Sequence, residues 1–179
     1  MSTTKHILNI LTWLLFLLAG VLLAVMVLIP RLNGWVPLAV LSGSMEPTIP
    51  TGSMVVIERV QGEADLAGIR TGDVITFLPR PDDPTLVTHR VMSQAVRADG
   101  STIFVTRGDA NSADDPDPVG ATQIRGVLRY HVPMAGRLSL LLDVEQKRTG
   151  VIVVAGGLFL YAGWQVIQAV RTPREAGRR

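Results

Sequence analysis

The chain has 179 residues, 47% of them hydrophobic, with 17 Lys+Arg against 15 Asp+Glu and no Cys. The missing Cys excludes a disulfide framework and a thiolate metal centre. The sequence pI near 9.5 does not mark a nucleic-acid protein, because the positive excess is terminal: residues 31–150 carry 12 Lys+Arg and 14 Asp+Glu, which implies no basic face.

Residues 7–29 hold no charge. As a helix this run would be about 34 Å long at ~1.5 Å per residue, enough to cross a hydrocarbon core of ~30 Å. A cleaved signal peptide is the competing reading. The run is long for the apolar region of one, and no small-x-small site closes it, so residues 1–30 read as an uncleaved signal-anchor helix.

Residues 41–50 follow, Leu-Ser-Gly-Ser-Met-Glu-Pro-Thr-Ile-Pro. Gly43 is expected to take backbone angles closed to other residues, and Pro47 and Pro50 oppose a helix. Such a turn can present Ser44 and the neighbouring backbone N–H groups to a substrate. The same residue types also build ordinary turns.

Short apolar runs rich in Val, Ile, Thr and Phe come next, at residues 54–60, 73–78, 86–96, 102–106 and 124–132. Gly and Pro clusters bound most of them, which predicts strands. Residues 119–133 and 135–142 are ambiguous between helix and strand. Long loops are expected at 79–84 and 110–118, the latter acidic and solvated. The middle of the chain, residues 31–150, is thus expected to be one mainly β, antiparallel domain.

Residues 151–170 form a second uncharged run, with Gln165 and Gln168 near its end and Gly156, Gly157 and Gly163 within it. A buried core helix competes with a membrane span. The Arg residues that follow favour a span, and Gly in membrane helices allows close helix approach. Residues 151–179 therefore read as a C-terminal transmembrane helix with a basic tail. Lys5 flanks the first span and Arg171, Arg174, Arg178 and Arg179 flank the second. By the positive-inside rule both ends are cytoplasmic and residues 31–150 lie outside.

A serine needs a base before it is a useful nucleophile, commonly His or Lys. The two lysines, Lys5 and Lys147, adjoin the apolar runs, so a Ser–Lys pair is not expected. Of the three histidines, His6 precedes the first run and His131 ends a strand-like run beside Pro133. His89 lies in Val-Thr-His-Arg-Val, where alternation puts Val87, His89 and Val91 on one face. If one His serves Ser44, His89 is the better candidate. A carboxylate would orient the imidazole; Asp109, Asp114 and Asp115 are candidates, while Asp109 after Gly108 also fits a local turn. No short ligand spacing such as H-x-x-x-H occurs, so no metal site is expected.

Taken together, these residues resemble type I signal peptidases of the branch that uses His as base, the type of the endoplasmic reticulum, archaea and some Gram-positive bacteria. Residues 41–48 are similar to the family's nucleophile box, with Ser44 the nucleophile. Residues 72–75, Gly-Asp-Val-Ile, are similar to the strand box after it. Residues 88–91, Thr-His-Arg-Val, match the general-base box, and residues 108–115, Gly-Asp-Ala-Asn-Ser-Ala-Asp-Asp, the acidic box. The two acidic positions that matter in the family fall on Asp109 and Asp115, and Asp115 is favoured as the triad member. Ala110 departs from the Asn that many relatives carry, but both Asp remain.

The resemblance implies a membrane-bound serine endopeptidase that removes signal peptides from preproteins by cutting after small-x-small residues. Ser44 and His89 would carry the acyl transfer, with the Ser44 backbone N–H and the Ser42 hydroxyl as oxyanion donors. It implies no cofactor and no metal. Its partners are preprotein signal peptides, the lipid bilayer and a secretion translocon, with no nucleic acid. Two alternatives compete. One is a non-catalytic, membrane-anchored β-domain that scaffolds other membrane proteins, in which Ser44, His89 and the acidic pair would lie apart. The other is a dedicated peptidase with a narrow client set.

Overall fold

The computed structural model describes residues 2–80, 84–137 and 144–171. The chain divides into two compact units, Met1–Val25 with Leu142–Arg179, and Met26–Leu141.

The helical unit contains α1, Ser2–Leu23, and α4, Val144–Arg171. Phe16 of α1 stacks on Tyr161 of α4 with ring centroids 4.3 Å apart, and Trp13 meets the same ring edge-on at 5.5 Å. Gln165 Nε2 donates to the Tyr161 hydroxyl at 2.8 Å. Close approach through small residues is not how these helices meet: around Gly156, Gly157 and Gly163 there is open space where a side chain would stand. Aromatic faces supply the contact instead. Leu15 and Leu17 on α1 and Phe159 and Leu160 on α4 are largely exposed. Among the described residues, one helix, Asn9–Asn33, is long and apolar enough to cross a membrane.

Both helices outrun the apolar segments. α4 is already helical at Val144, seven residues before the expected residue 151, although Glu145 interrupts the apolar run. The N-terminal helix continues past residue 29 through a π-turn, Ala24–Leu28, into α2, Ile29–Asn33. Pro30 stands in the first turn of α2, just after the π-turn, where it takes one backbone donor out of the continuing helix. Gly34 ends the helix in the left-handed conformation at φ 69°, its N–H on the Pro30 carbonyl.

The second unit is built on one antiparallel sheet. Its strands are β1, Val36–Ala39; β2, Met54–Arg59; β3, Val74–Phe77; β4, Val87–Val96; β5, Thr102–Arg107; β6, Val119–Gly120; and β7, Ile124–Val132. A short helix α3, Glu63–Ala67, lies between β2 and β3. Their order is β1-β2-β7-β3-β4-β5-β6. The five apolar runs became β2, β3, β4, β5 and β7, and most of the ambiguous segment 119–133 is strand, as β6 and β7 with a 3-10 turn, Ala121–Gln123, between them. Of the expected 79–84 loop, residues 81–83 lie outside the described residues, as do residues 138–142 of the ambiguous segment 135–142 and residues 172–179 of the tail. β1, β6 and α3 were not expected. β1 carries Pro37, which lacks a ladder donor and is at home on an edge strand; β6 has only two residues to pair.

The core has two parts. Ile69, Ile75, Phe77, Val91, Phe104, Val119 and Ile124 form one cluster. Val40, Met45, Ile49, Val55 and Val74 form the other. The second positions the site, since Met45 and Ile49 come from the 41–50 stretch and are 1% and 0% exposed. That stretch is therefore anchored on both sides of its Pro47, one residue after Ser44 and again at Ile49. We expect Ile49→Ala to cost about 2–5 kcal/mol of stability, the range for truncating a fully buried aliphatic side chain. Chemical denaturation of the variant against wild type measures it, and Val96→Ala, at an exposed position, should change little.

Candidate active site

Ser44 sits in the turn between β1 and β2. The Glu46 N–H bonds the Gly43 carbonyl at 3.0 Å and the Ile49 N–H bonds the Met45 carbonyl at 2.8 Å, winding the chain into successive turns. Glu46 Oε1 accepts from the Thr51 hydroxyl at 2.7 Å and the Thr51 N–H at 3.2 Å, which lowers the Glu46 pKa, the hydroxyl bond contributing most. Gly43 does not use its backbone freedom: it is absent from the positive-φ residues of the chain, and the turn is held by these hydrogen bonds. The Ser42 and Ser44 hydroxyl oxygens are 3.5 Å apart.

His89 lies on β4, opposite Ile75 of β3. It is 8% exposed, and the Phe77 ring stands edge-on to it at 6.3 Å. Its Nδ1 is 2.6 Å from Asp115 Oδ2. Asp115 as a carboxylate only accepts, so Nδ1 is the donor here and, in the neutral imidazole, the lone pair is on Nε2. The Asp115 N–H bonds the Thr106 carbonyl at 2.8 Å, and the Thr106 hydroxyl donates to Asp115 Oδ2 at 2.6 Å.

Gly108, just beyond β5, brings the serine turn and the histidine together. A Cβ there would stand 2.5 Å from the Ser44 carbonyl oxygen, 3.1 Å from His89 Nε2 and 2.9 Å from Asn111 Nδ2. Only a residue without a side chain allows this approach. The Ala110 N–H then reaches the Ser44 carbonyl at 2.9 Å. Ala110 contributes through its backbone and its side chain is exposed, so the lost amide removes nothing from this contact.

The acidic candidates take different partners. Asp109 receives Arg90 in a two-pronged ion pair, Nε to Oδ1 at 2.8 Å and Nη2 to Oδ2 at 2.6 Å, while Arg90 Nη1 donates to the Gly72 carbonyl at 2.7 Å. The Arg90 guanidinium holds the Asp109 carboxyl below the usual carboxylate range, helped by the Thr48 hydroxyl and opposed by burial; Asp109 in turn raises Arg90. Asp114 pairs with Arg107 at 3.6 Å on the surface. His131 lies on β7 opposite Val55 of β2, outside this cluster. His6, Lys5 and Lys147 belong to the helices of the other unit. Among the described residues, no three His, Cys, Asp or Glu side chains converge on a possible metal position.

The sequence reading assigned no role to Gly108, Arg90 or Thr106. A signal for Thr106 exists: it alternates with Phe104 on β5 and is a polar residue at a core-facing strand position. The arrangement as a whole can take a proton at Nε2 and hold the resulting imidazolium against a carboxylate, the capacity that acyl-transfer chemistry at a neighbouring hydroxyl requires.

Two outcomes follow. Gly108→Ala should lower the melting temperature, because its Cβ would stand 2.5 Å from a backbone carbonyl, and should push the Ser44 carbonyl and the His89 ring apart, abolishing any activity that depends on their proximity; a Tm and turnover measured on one preparation decide it. For Asp109 the folded pKa is depressed, so its pair with Arg90 stabilises above the ordinary carboxyl pKa of ~3.9. That contribution is lost as pH falls through the lower folded value. The stability gap between wild type and Asp109→Asn should therefore be full at neutral pH and close in acid, as pH-dependent denaturation would show.

The family of signal peptidases, peptidase S26, matches residues 10–113. The chain is similar to signal peptidase I W of Bacillus subtilis (strain 168), 37% identical over 127 residues, covering 68% of this chain and 64% of that protein. It therefore spans just under two thirds of that relative. It is also similar to the signal peptidase complex catalytic subunit SEC11 of Yarrowia lipolytica, 27% identical over 133 residues, or 69% of this chain and 73% of that one. The SEC11C subunit of Homo sapiens is 27% identical over 129 residues, 68% of this chain and 65% of that subunit.

Proposed function

The chain belongs to the signal peptidase family, peptidase S26, and on that premise we propose that it is a membrane-bound serine endopeptidase that removes signal peptides from preproteins. The observation that carries this reading is the meeting of the Ser44 carbonyl and His89 Nε2 at the bare Cα of Gly108, with Asp115 on the far side of the imidazole. The non-catalytic alternative requires Ser44, His89 and the acidic residues to lie apart, and these contacts weigh against it.

In the proposed reaction His89 Nε2 takes the Ser44 hydroxyl proton as the oxygen attacks the scissile carbonyl. The imidazolium is held by Asp115 through Nδ1 and then protonates the leaving amine. Water, deprotonated by the same nitrogen, releases the acyl group from Ser44. The Ser44 N–H and the Ser42 hydroxyl meet the oxyanion, each worth roughly 3 kcal/mol if preorganised. Asp109 serves as the structural acid, tying β4 to the loop after β5. Cleavage after small-x-small residues is the expected specificity.

The topology is part of the proposal. Residues 1–30 anchor the protein, residues 31–150 are the catalytic domain on the outer side, and residues 151–179 span the bilayer again and return the basic tail to the cytoplasm. Lys5 and the terminal Arg residues and the exposed apolar side chains of α4 support it. Substrates would reach the site at the membrane from a secretion translocon.

Incubating the purified protein with a model preprotein and mapping the product N-terminus tests the activity. Ser44→Ala and His89→Ala should each lose several orders of magnitude in turnover while staying folded, because members of such a unit fail together. Asp115→Asn should be nearly inactive at unchanged Tm, and Asp109→Asn milder. Normal turnover in His89→Ala, or an inactive Asp109→Asn beside an active Asp115→Asn, overturns the assignment. For the topology, a C-terminal tag should resist protease added outside intact right-side-out vesicles; its digestion there would mean that α4 does not span.

A further inference from the structure

Thr106 is fully buried on β5, and its register partner across the ladder is Val91, which offers no side-chain acceptor. Its hydroxyl goes to Asp115 Oδ2 at 2.6 Å. That is the same oxygen that His89 Nδ1 meets at 2.6 Å. The Thr106 carbonyl also accepts the Asp115 N–H at 2.8 Å, so one strand residue holds Asp115 at two points.

We propose that Thr106 is a positioning residue that fixes the Asp115 carboxylate for His89, an inference that rests on the catalytic reading of Ser44, His89 and Asp115 given above. A carboxylate held by one bond can turn about its Cβ–Cγ axis and present either oxygen, or a poorly aimed one, to the imidazole. Two donors converging on Oδ2, with the backbone clamp behind them, leave a single orientation. Nδ1–H is then the enforced tautomer, and the Nε2 lone pair faces the Gly108 gap where the serine turn lies. The clamp also sets the path of the loop from Gly108 to Asp115, since both ends of that loop adjoin β5. Thr106 touches no reacting atom; it acts through Asp115.

The test uses the full chain in detergent with a preprotein that carries a small-x-small site. Ser44→Ala, Thr106→Ser, Thr106→Ala and Thr106→Val are compared for kcat, KM and Tm, with the far-downfield Nδ1–H proton resonance of His89 as the spectroscopic readout. Thr106→Ser keeps the hydroxyl and should stay within about threefold of wild type. Thr106→Val keeps the shape without the hydroxyl and should lose about 10- to 100-fold in kcat at similar KM, the scale of one hydrogen bond to a charged group, with the resonance shifted or lost. If Thr106→Val does not fold, the Ser and Ala variants differ by the hydroxyl oxygen alone and carry the same comparison. Wild-type kcat in the variants without the hydroxyl, beside an inactive Ser44→Ala, overturns the role of Thr106 and leaves the enzyme reading intact. Equal losses in the Ser and Ala variants that track a fall in Tm also overturn it, in favour of plain core packing. An active Ser44→Ala removes the catalytic reading itself, and the role of Thr106 with it.

Discussion

The site depends on a volume that is left empty. At Gly108 the main chain passes so close to the Ser44 carbonyl and the His89 ring that a single methyl group would strike both. This approach joins a turn that precedes β2 to a residue on β4, two parts of the chain that share no direct strand pairing. From that point the loop makes a series of bonds. Ala110 donates to Ser44, Asp109 meets Arg90, and Asp115 comes back to β5 and to His89. A loop of eight residues thus touches the serine turn, the histidine strand and its own strand of origin. Displacing its first residue would disturb all three.

The sheet supplies the rigid frame for this loop. β7, late in the chain, inserts between β2 and β3, so the strand after the serine turn and the hairpin that carries His89 are tied through a third strand. At Gly126 of β7 a side chain would collide with the Glu58 carbonyl of β2, and the β3–β7 register shifts beside it. Met45 and Ile49 close the frame from the other direction by entering the same apolar cluster as Val55 of β2 and Val74 of β3. Ser44 is held between a buried neighbour and a backbone hydrogen bond, with little freedom left to its main chain.

Charge is divided between two carboxylates with different surroundings. Asp109 faces a guanidinium that is always charged, and the pair is braced further by the Gly72 carbonyl. Such a fork-to-fork pair fixes geometry and has no proton to give or take near neutral pH. Asp115 faces an imidazole, a group that can change charge in that range, and its remaining donor is a neutral hydroxyl.

Much of this could be read from the chain alone, because the signals were local. Alternating Val, Ile and Thr between Gly and Pro marked five of the seven strands, and residues 41–50, 88–91 and 108–115 drew attention through composition and order. The uncharged run near the N-terminus marked a helix of membrane-spanning length. Only tertiary structure decided the rest. β1 and β6 are short and gain strand form from their neighbours rather than from their own residues. The helices run past the apolar segments, forward to Asn33 and back as far as Val144, because backbone hydrogen bonding does not stop where hydrophobicity stops. Gly43 carried the stronger conformational suspicion, yet Gly108 is the glycine that the packing requires, since closeness to a distant segment leaves no local mark. Asp109 and Asp115 stand six residues apart in one acidic loop, and the resemblance favoured Asp115 as the triad member; which of them reaches Arg90 and which reaches His89 depends on where β4 and β5 lie, and that is fixed by the sheet.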